Sequence, residues 1–158
     1  MSTQVITPRN DAGRTYINNQ KIYWDFNDNN LLEVEIASIF AIGEYTTVHA
    51  LHRNEWFIVF ILNKKESLQI SAYAQGMQEV LAELSEILGS ELTGKLAMAS
   101  DFKSNVIYPK QLAGQELYEL RIIESKTWFD RFRARMGFGN PLELVLKEYV
   151  IEWVAERQ

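Results

Sequence analysis

Trp56-Phe57-Ile58-Val59-Phe60-Ile61-Leu62 is an unbroken apolar run of aromatic, β-branched and leucine residues, and Asn63, Lys64, Lys65 and Glu66 end it abruptly. That composition predicts a strand followed by a tight reversal. From Ser67 to Ser71, Leu68 and Ile70 alternate with Ser67, Gln69 and Ser71, which predicts a second strand. The apolar positions then change spacing to Met77, Val80, Leu81, Leu84, Ile87 and Leu88, and period two gives way to a helical stripe. Gly89 stands where a left-handed cap would stop that helix. Burying the stripe is worth roughly 1.5 to 3 kcal/mol per large side chain, which makes the helix a lid on a sheet.

Working outward, Tyr16 to Phe26 reads as a first strand, and Asn27, Asp28, Asn29 and Asn30 as a turn. Leu31 to Val48 reads as one long bent strand or two short ones, with Gly43 as the bulge. The first half is therefore an antiparallel meander closed by a helix over about Tyr73–Leu88. Ser90, Thr93, Gly94, Ser100 and Asp101 mark a looser link before a strand at Asn105–Tyr108, which Pro109 ends. Tyr118, Leu120 and Ile122 suggest a further strand, hairpinned to residues 104–108 through Gly114. Trp128, Phe129, Phe132 and Met136 predict a short amphipathic helix that Gly137 and Gly139 end. Asn140 and Pro141 then suit the start of a final helix, with Glu143 in its first turn and Leu142, Val145, Leu146, Tyr149, Val150, Trp153 and Val154 as its buried stripe. The expectation is an α+β fold: a bent antiparallel β-sheet meander closed by an amphipathic helix, with further strands and two C-terminal helices. Residues 1–14 read as a polar N-terminal tail and 15–158 as a single α+β domain.

The chain has 158 residues, enough for one substantial core and cramped for two. It is 47% hydrophobic and 23% charged, as globular proteins are, and no apolar run reaches the roughly 18 residues that span a bilayer. The N-terminus lacks the basic start and apolar core of a secretory signal, so a cytoplasmic location is expected. The absence of cysteine excludes disulfides, thiol nucleophiles and cysteine-held metal. A net charge of -5 disfavours broad nucleic-acid binding, which needs a basic surface.

Chemistry-bearing residues are few. His49 and His52 are the only histidines, and in extended chain a spacing of three sets them on opposite faces. A metal would need carboxylates as well, such as Glu44 or Glu55, so loop histidines without metal are the favoured reading. Gly89-Ser-Glu-Leu-Thr-Gly-Lys-Leu96 resembles a phosphate loop until Leu96 replaces the magnesium-ligating hydroxyl. It also follows a helix where a phosphate loop follows a strand, so cap and connector is the better account. Lys126, Trp128, Arg131, Arg133 and Arg135 form the one basic-aromatic stretch, suited to an anionic membrane, a phosphate, an acidic partner or simple docking on the domain's own acidic helix. Glu79, Glu83 and Glu86 recur at helical spacing with no matching Lys or Arg, giving a uniformly acidic face that a basic partner could meet.

The order Lys21-Ile-Tyr-Trp-Asp-Phe26, Leu31–Ile42, Trp56–Leu62, Ser67–Ser71 and the helix to Leu88 resembles the bacterial pleckstrin-homology-like pattern over residues 16–89. That resemblance implies a bent sheet closed by one helix, serving as a binding or scaffolding module; residues 90–158 depart from it. The expected function is a non-catalytic protein-binding module of the adaptor or immunity type, with Glu79, Glu83, Glu86, Lys126, Trp128, Arg131, Arg133 and Arg135 as contact residues. Another protein is the expected partner, self-association is compatible with the chain, and no cofactor or nucleic acid is expected. The alternatives are a pleckstrin-like binder of an anionic lipid or phosphate, and an enzyme using His49, His52 and Glu55.

Overall fold

The computed structural model describes residues 12–27, 30–47, 55–122 and 142–158. It shows an α+β fold built of antiparallel sheets. The segment that reads as one strand over Tyr16–Phe26 is a hairpin, β1 (Arg14–Asn18) and β2 (Lys21–Asn27). Asn19 and Gln20 take φ of 49° and 63°, the left-handed pair that a tight hairpin turn demands and that asparagine tolerates. β3 (Asn30–Glu35) pairs with β2 to complete a three-stranded sheet.

A short 3-10 turn at Ile36–Ser38, where the Ser38 hydroxyl donates to the Glu35 carbonyl at 2.7 Å, carries the meander into a second sheet. That sheet holds β4 (Ala41–Thr46), β5 (Trp56–Ile61), β6 (Ser67–Ser71) and β7 (Lys103–Tyr108) in the order β6-β5-β4-β7. The β4–β7 register shifts between Ile42 and Gly43, the bulge that the glycine predicts. β5 lies inside the sheet and is covered on both sides, which is why its sequence runs apolar without alternation.

On one side Ile42, Trp56, Ile58, Phe60 and Ile70 pack against Met77, Val80, Leu81 and Leu84 of helix α1 (Met77–Leu88) and against Ile22 and Val34 of the first sheet. Gly89 caps α1 at φ 65°, as its position predicts. The helix starts at Met77 instead of Tyr73 because residues 72–76 are occupied in tying β1 to the core: Thr15 N–H donates to Gln75 O at 2.8 Å and Gln75 N–H to Gly13 O at 2.9 Å. Gly76 is required there, since a Cβ would sit 2.3 Å from Thr15 O.

On the other side Ala41, Tyr45, Val59, Ile61 and Val106 pack against Leu117, Tyr118, Val150 and Val154. Leu117 and Tyr118 stand at the start of β8 (Tyr118–Ile122) and Val150 and Val154 on helix α2 (Glu148–Ala155), while Leu144 and Leu146 of β9 (Leu142–Leu146) pack against them partly buried. Two expectations change here. The final helix does not begin at Asn140–Pro141: Leu142–Leu146 is strand, paired with β8, and Lys147 is the N-cap. The turn through Gly114 does lie against β7, with Val106 bonded to Gly114 and Gln115 and Ser104 Oγ meeting Leu117 and Tyr118, but the strand Tyr118–Ile122 itself pairs with β9 and not with β7. The helix expected around Trp128–Met136 lies outside the described residues. Among the described residues, no helix is long and apolar enough to cross a membrane.

Candidate functional site

Glu79, Glu83 and Glu86 lie on the outer face of α1, exposed and in no ion pair with a described residue. Helical spacing sets them in one stripe with Ala82 and Ile87, and Ile87 is 43% exposed. The structure thus brings together three of the expected contact residues. Lys126, Trp128, Arg131, Arg133 and Arg135, like His49 and His52, lie outside the described residues. Of the carboxylates considered as metal partners, Glu55 accepts a hydrogen bond from the Thr47 hydroxyl, and Glu44 is engaged more completely.

Glu44 is fully buried in the middle of β4, beside Ile42 and opposite Ile58. Four N–H donors reach its carboxylate: Trp56 Nε1 at 2.8 Å, Asn105 Nδ2 at 3.0 Å, and the backbone amides of Lys95 at 2.8 Å and Leu96 at 3.3 Å. A carboxylate has about four acceptor positions, so the set is complete. All four donors are neutral, and none is a salt-bridge partner. The Lys95 and Leu96 amides therefore do hold an anion, but it is the protein's own. A Cβ at Gly94 would fall 2.6 Å from the Trp56 ring and 3.2 Å from Glu44 Oε2, so glycine lets the loop approach. Thr46 and Ser85 pin the same connector: Thr46 Oγ1 donates to Asp101 O and accepts from Lys103 N–H, while Ser85 Oγ accepts from Leu92 N–H. What composition predicts as a loose link is a fastened one. The sequence signal was a charged residue between Gly43 and Tyr45 in an otherwise apolar strand.

The surface clefts include two that described residues line. One, of about 480 Å³, is bordered by Lys95, Phe102, Lys103, Ser104 and Asn105. Asn105 is committed to Glu44 and Ser104 to the backbone at Leu117 and Tyr118, while the Lys95 and Lys103 side chains make no ion pair with a described residue. The other, of about 380 Å³, lies between the β5–β6 turn and β9, with Lys64, Lys65, Ser67, Gln69, Tyr118 and Leu146 on its walls. Tyr45 and Tyr118 meet edge to face beneath it, with ring centroids 5.5 Å apart, and the Tyr45 hydroxyl donates to Gln69 Oε1. Burial, then the neighbouring Tyr45, pushes the Tyr118 phenol up to about 12; burial also raises Tyr45. Both are neutral donors at ordinary pH. Lys64 and Lys65 are exposed and make no ion pair with a described residue.

Compared with known proteins, the chain matches no family model, no curated protein and no solved structure.

Proposed function

We propose that this chain is a non-catalytic protein-binding module, and that the outer face of α1 takes a basic segment of its partner. The observation that carries this reading is Glu86. It stands in the last turn of α1, where the unpaired carbonyls make a negative charge unfavourable by about 0.3 to 1 kcal/mol. No basic residue occupies that turn to offset it. Glu83 and Glu79 continue the negative stripe, and exposed Ile87 gives it an apolar margin. A Lys- or Arg-bearing segment with one apolar side chain would neutralise the stripe and cover the margin, supplying steering and a small desolvated contact together.

The test is affinity capture from extracts of the host cell at low salt, with wild-type protein and the Glu79→Lys/Glu83→Lys/Glu86→Lys variant side by side. A partner recovered by the wild type, released by salt and lost by a folded variant is the expected result. Capture of the same proteins by both would defeat the reading, as would a small molecule that raises the melting temperature when no partner is recovered.

A further inference from the structure

We infer that the cleft between β6 and β9 receives an extended segment of a partner protein as an added strand, with an acidic side chain of that segment beside the Lys64–Lys65 turn. This surface is separate from the acidic face of α1, and the inference stands or falls independently of it.

Backbone phase identifies the open edges. Ala72 N–H donates to Trp56 O at 2.9 Å and Leu62 N–H to Glu66 O at 3.0 Å, so residues 66, 68, 70 and 72 turn their backbone groups toward β5. Ser67 and Gln69 must then turn their N–H and C=O groups outward, into the cleft whose wall they form. Lys147 N–H donates to Leu117 O at 3.0 Å, which fixes the phase of the other hairpin and turns Leu144 and Leu146 outward from β9. At the start of β8 the outer edge is engaged: Ser104 Oγ accepts from the amides of Leu117 and Tyr118 and donates to Tyr118 O. The β6 and β9 edges are open at this cleft, and no described residue bonds to the outward groups of Ser67, Gln69, Leu144 or Leu146. Both border the same cleft. An edge of unpaired N–H and C=O groups is a template for one more strand, and here a single segment would find a template on each side.

Charge selects the segment. Glu66, the one acid in the β5–β6 turn, is held by Asn63 Nδ2 at 2.6 Å, whereas Lys64 and Lys65 have no acidic partner among the described residues. The Asn63 Oδ1 atom fixes the turn by accepting from the amides of Lys65 and Glu66, at 2.8 and 2.9 Å, so both lysines project from a rigid support. A carboxylate on the incoming strand fits this pair. Free phosphate would meet the lysines and leave the edge amides unpaired.

The experiment is selection of a random octapeptide display library on the full-length protein, followed by hydrogen exchange with the most enriched peptide. The expected winners alternate β-branched or aromatic residues and carry Asp or Glu. Their binding slows exchange of the Ser67 and Gln69 amides at least about tenfold, is abolished by N-methylation of alternate peptide amides, and weakens about tenfold or more in Lys64→Glu/Lys65→Glu. The triple α1 variant described above retains it. Failure to enrich any sequence would overturn the inference, as would winners indifferent to Lys64→Glu/Lys65→Glu or without effect on the Ser67 and Gln69 amides. So would inorganic phosphate alone reproducing the protection, which would make the cleft an anion site, or a dimer that protects these amides unaided, which would make the occupant a second copy.

Discussion

The two faces of the four-stranded sheet are served by the same strand and solve opposite problems. β4 sends Ile42, Glu44 and Thr46 toward α1, and Ala41, Gly43 and Tyr45 toward α2. On the α1 side the polar atoms lie deep and are consumed internally: the Glu44 carboxylate and the Thr46 hydroxyl fasten an irregular connector that would otherwise leave amides buried and unpaired. On the α2 side the interior is apolar and aromatic, and the polar groups emerge at the rim, where Lys64 and Lys65 have no counter-charge among the described residues. An anion placed inside closes a loop; cations left at an edge await an anion from outside.

The sharpest way to break this comparison is to remove the internal anion. Glu44→Leu leaves four N–H donors without their acceptor, two of them on the side chains of Trp56 and Asn105, and is expected to cost about 3 to 5 kcal/mol. Glu44→Gln keeps the shape but turns an NH2 toward an N–H, and should cost about half as much. Urea unfolding gives both values, and the Lys95 and Leu96 amides should lose exchange protection together. A loss below about 1 kcal/mol for Glu44→Leu would mean the carboxylate is not what closes this face. Gly94→Ala probes the same contact from the loop side. Its methyl meets the Trp56 ring at 2.6 Å, an overpacking expected to cost about 1 to 3 kcal/mol and to shift the indole fluorescence.

The other face is tested by alkali. The Tyr118 phenol, raised to about 12 from an ordinary value of 10, stays protonated in the folded chain where the unfolded chain has ionised. Between those pH values the native state binds more protons, so stability falls as pH rises through that window and is fully present below it. Tyr118→Phe should remove this component of the alkaline slope while sparing the Glu44 side. An identical slope in the two proteins would show that Tyr118 is not shielded as its packing against Tyr45 requires.

How far the sequence reveals this arrangement depends on whether a local period was allowed to decide. Trp56–Ser71 was legible because a dense apolar run, a polar turn and a short alternation follow one another, the α1 stripe because it keeps one period over three turns, and Gly43 and Gly89 stand where a bulge and a cap are needed. Leu142–Leu146 misleads because its leucines at 142, 144 and 146 fit a strand while 142, 145, 146 and 149 fit a helix; pairing with β8 selects the former, a choice made by a partner distant in sequence. Asn18-Asn19-Gln20 was a turn signal inside an apparent strand. The acidic face was legible from spacing alone. The strand-edge cleft was not, since which backbone groups face outward depends on register, and no residue type encodes register by itself.

The smallest stability effect separates surface function from mere solubility most cleanly. Glu86→Lys replaces a charge that opposes the carbonyl end of α1 with one that complements it, so the variant should be more stable than the wild type by about 0.3 to 1 kcal/mol, less at high salt. Glu79→Lys does the reverse in the first turn, removing a favourable charge and costing a similar amount. The two changes therefore cancel in stability, yet both subtract from the same negative stripe. If that stripe is the contact face, melting temperatures move in opposite directions while partner affinity falls in both variants. If it is only a solvated face, affinity is indifferent to either, and Glu86→Lys is a plain improvement of the helix.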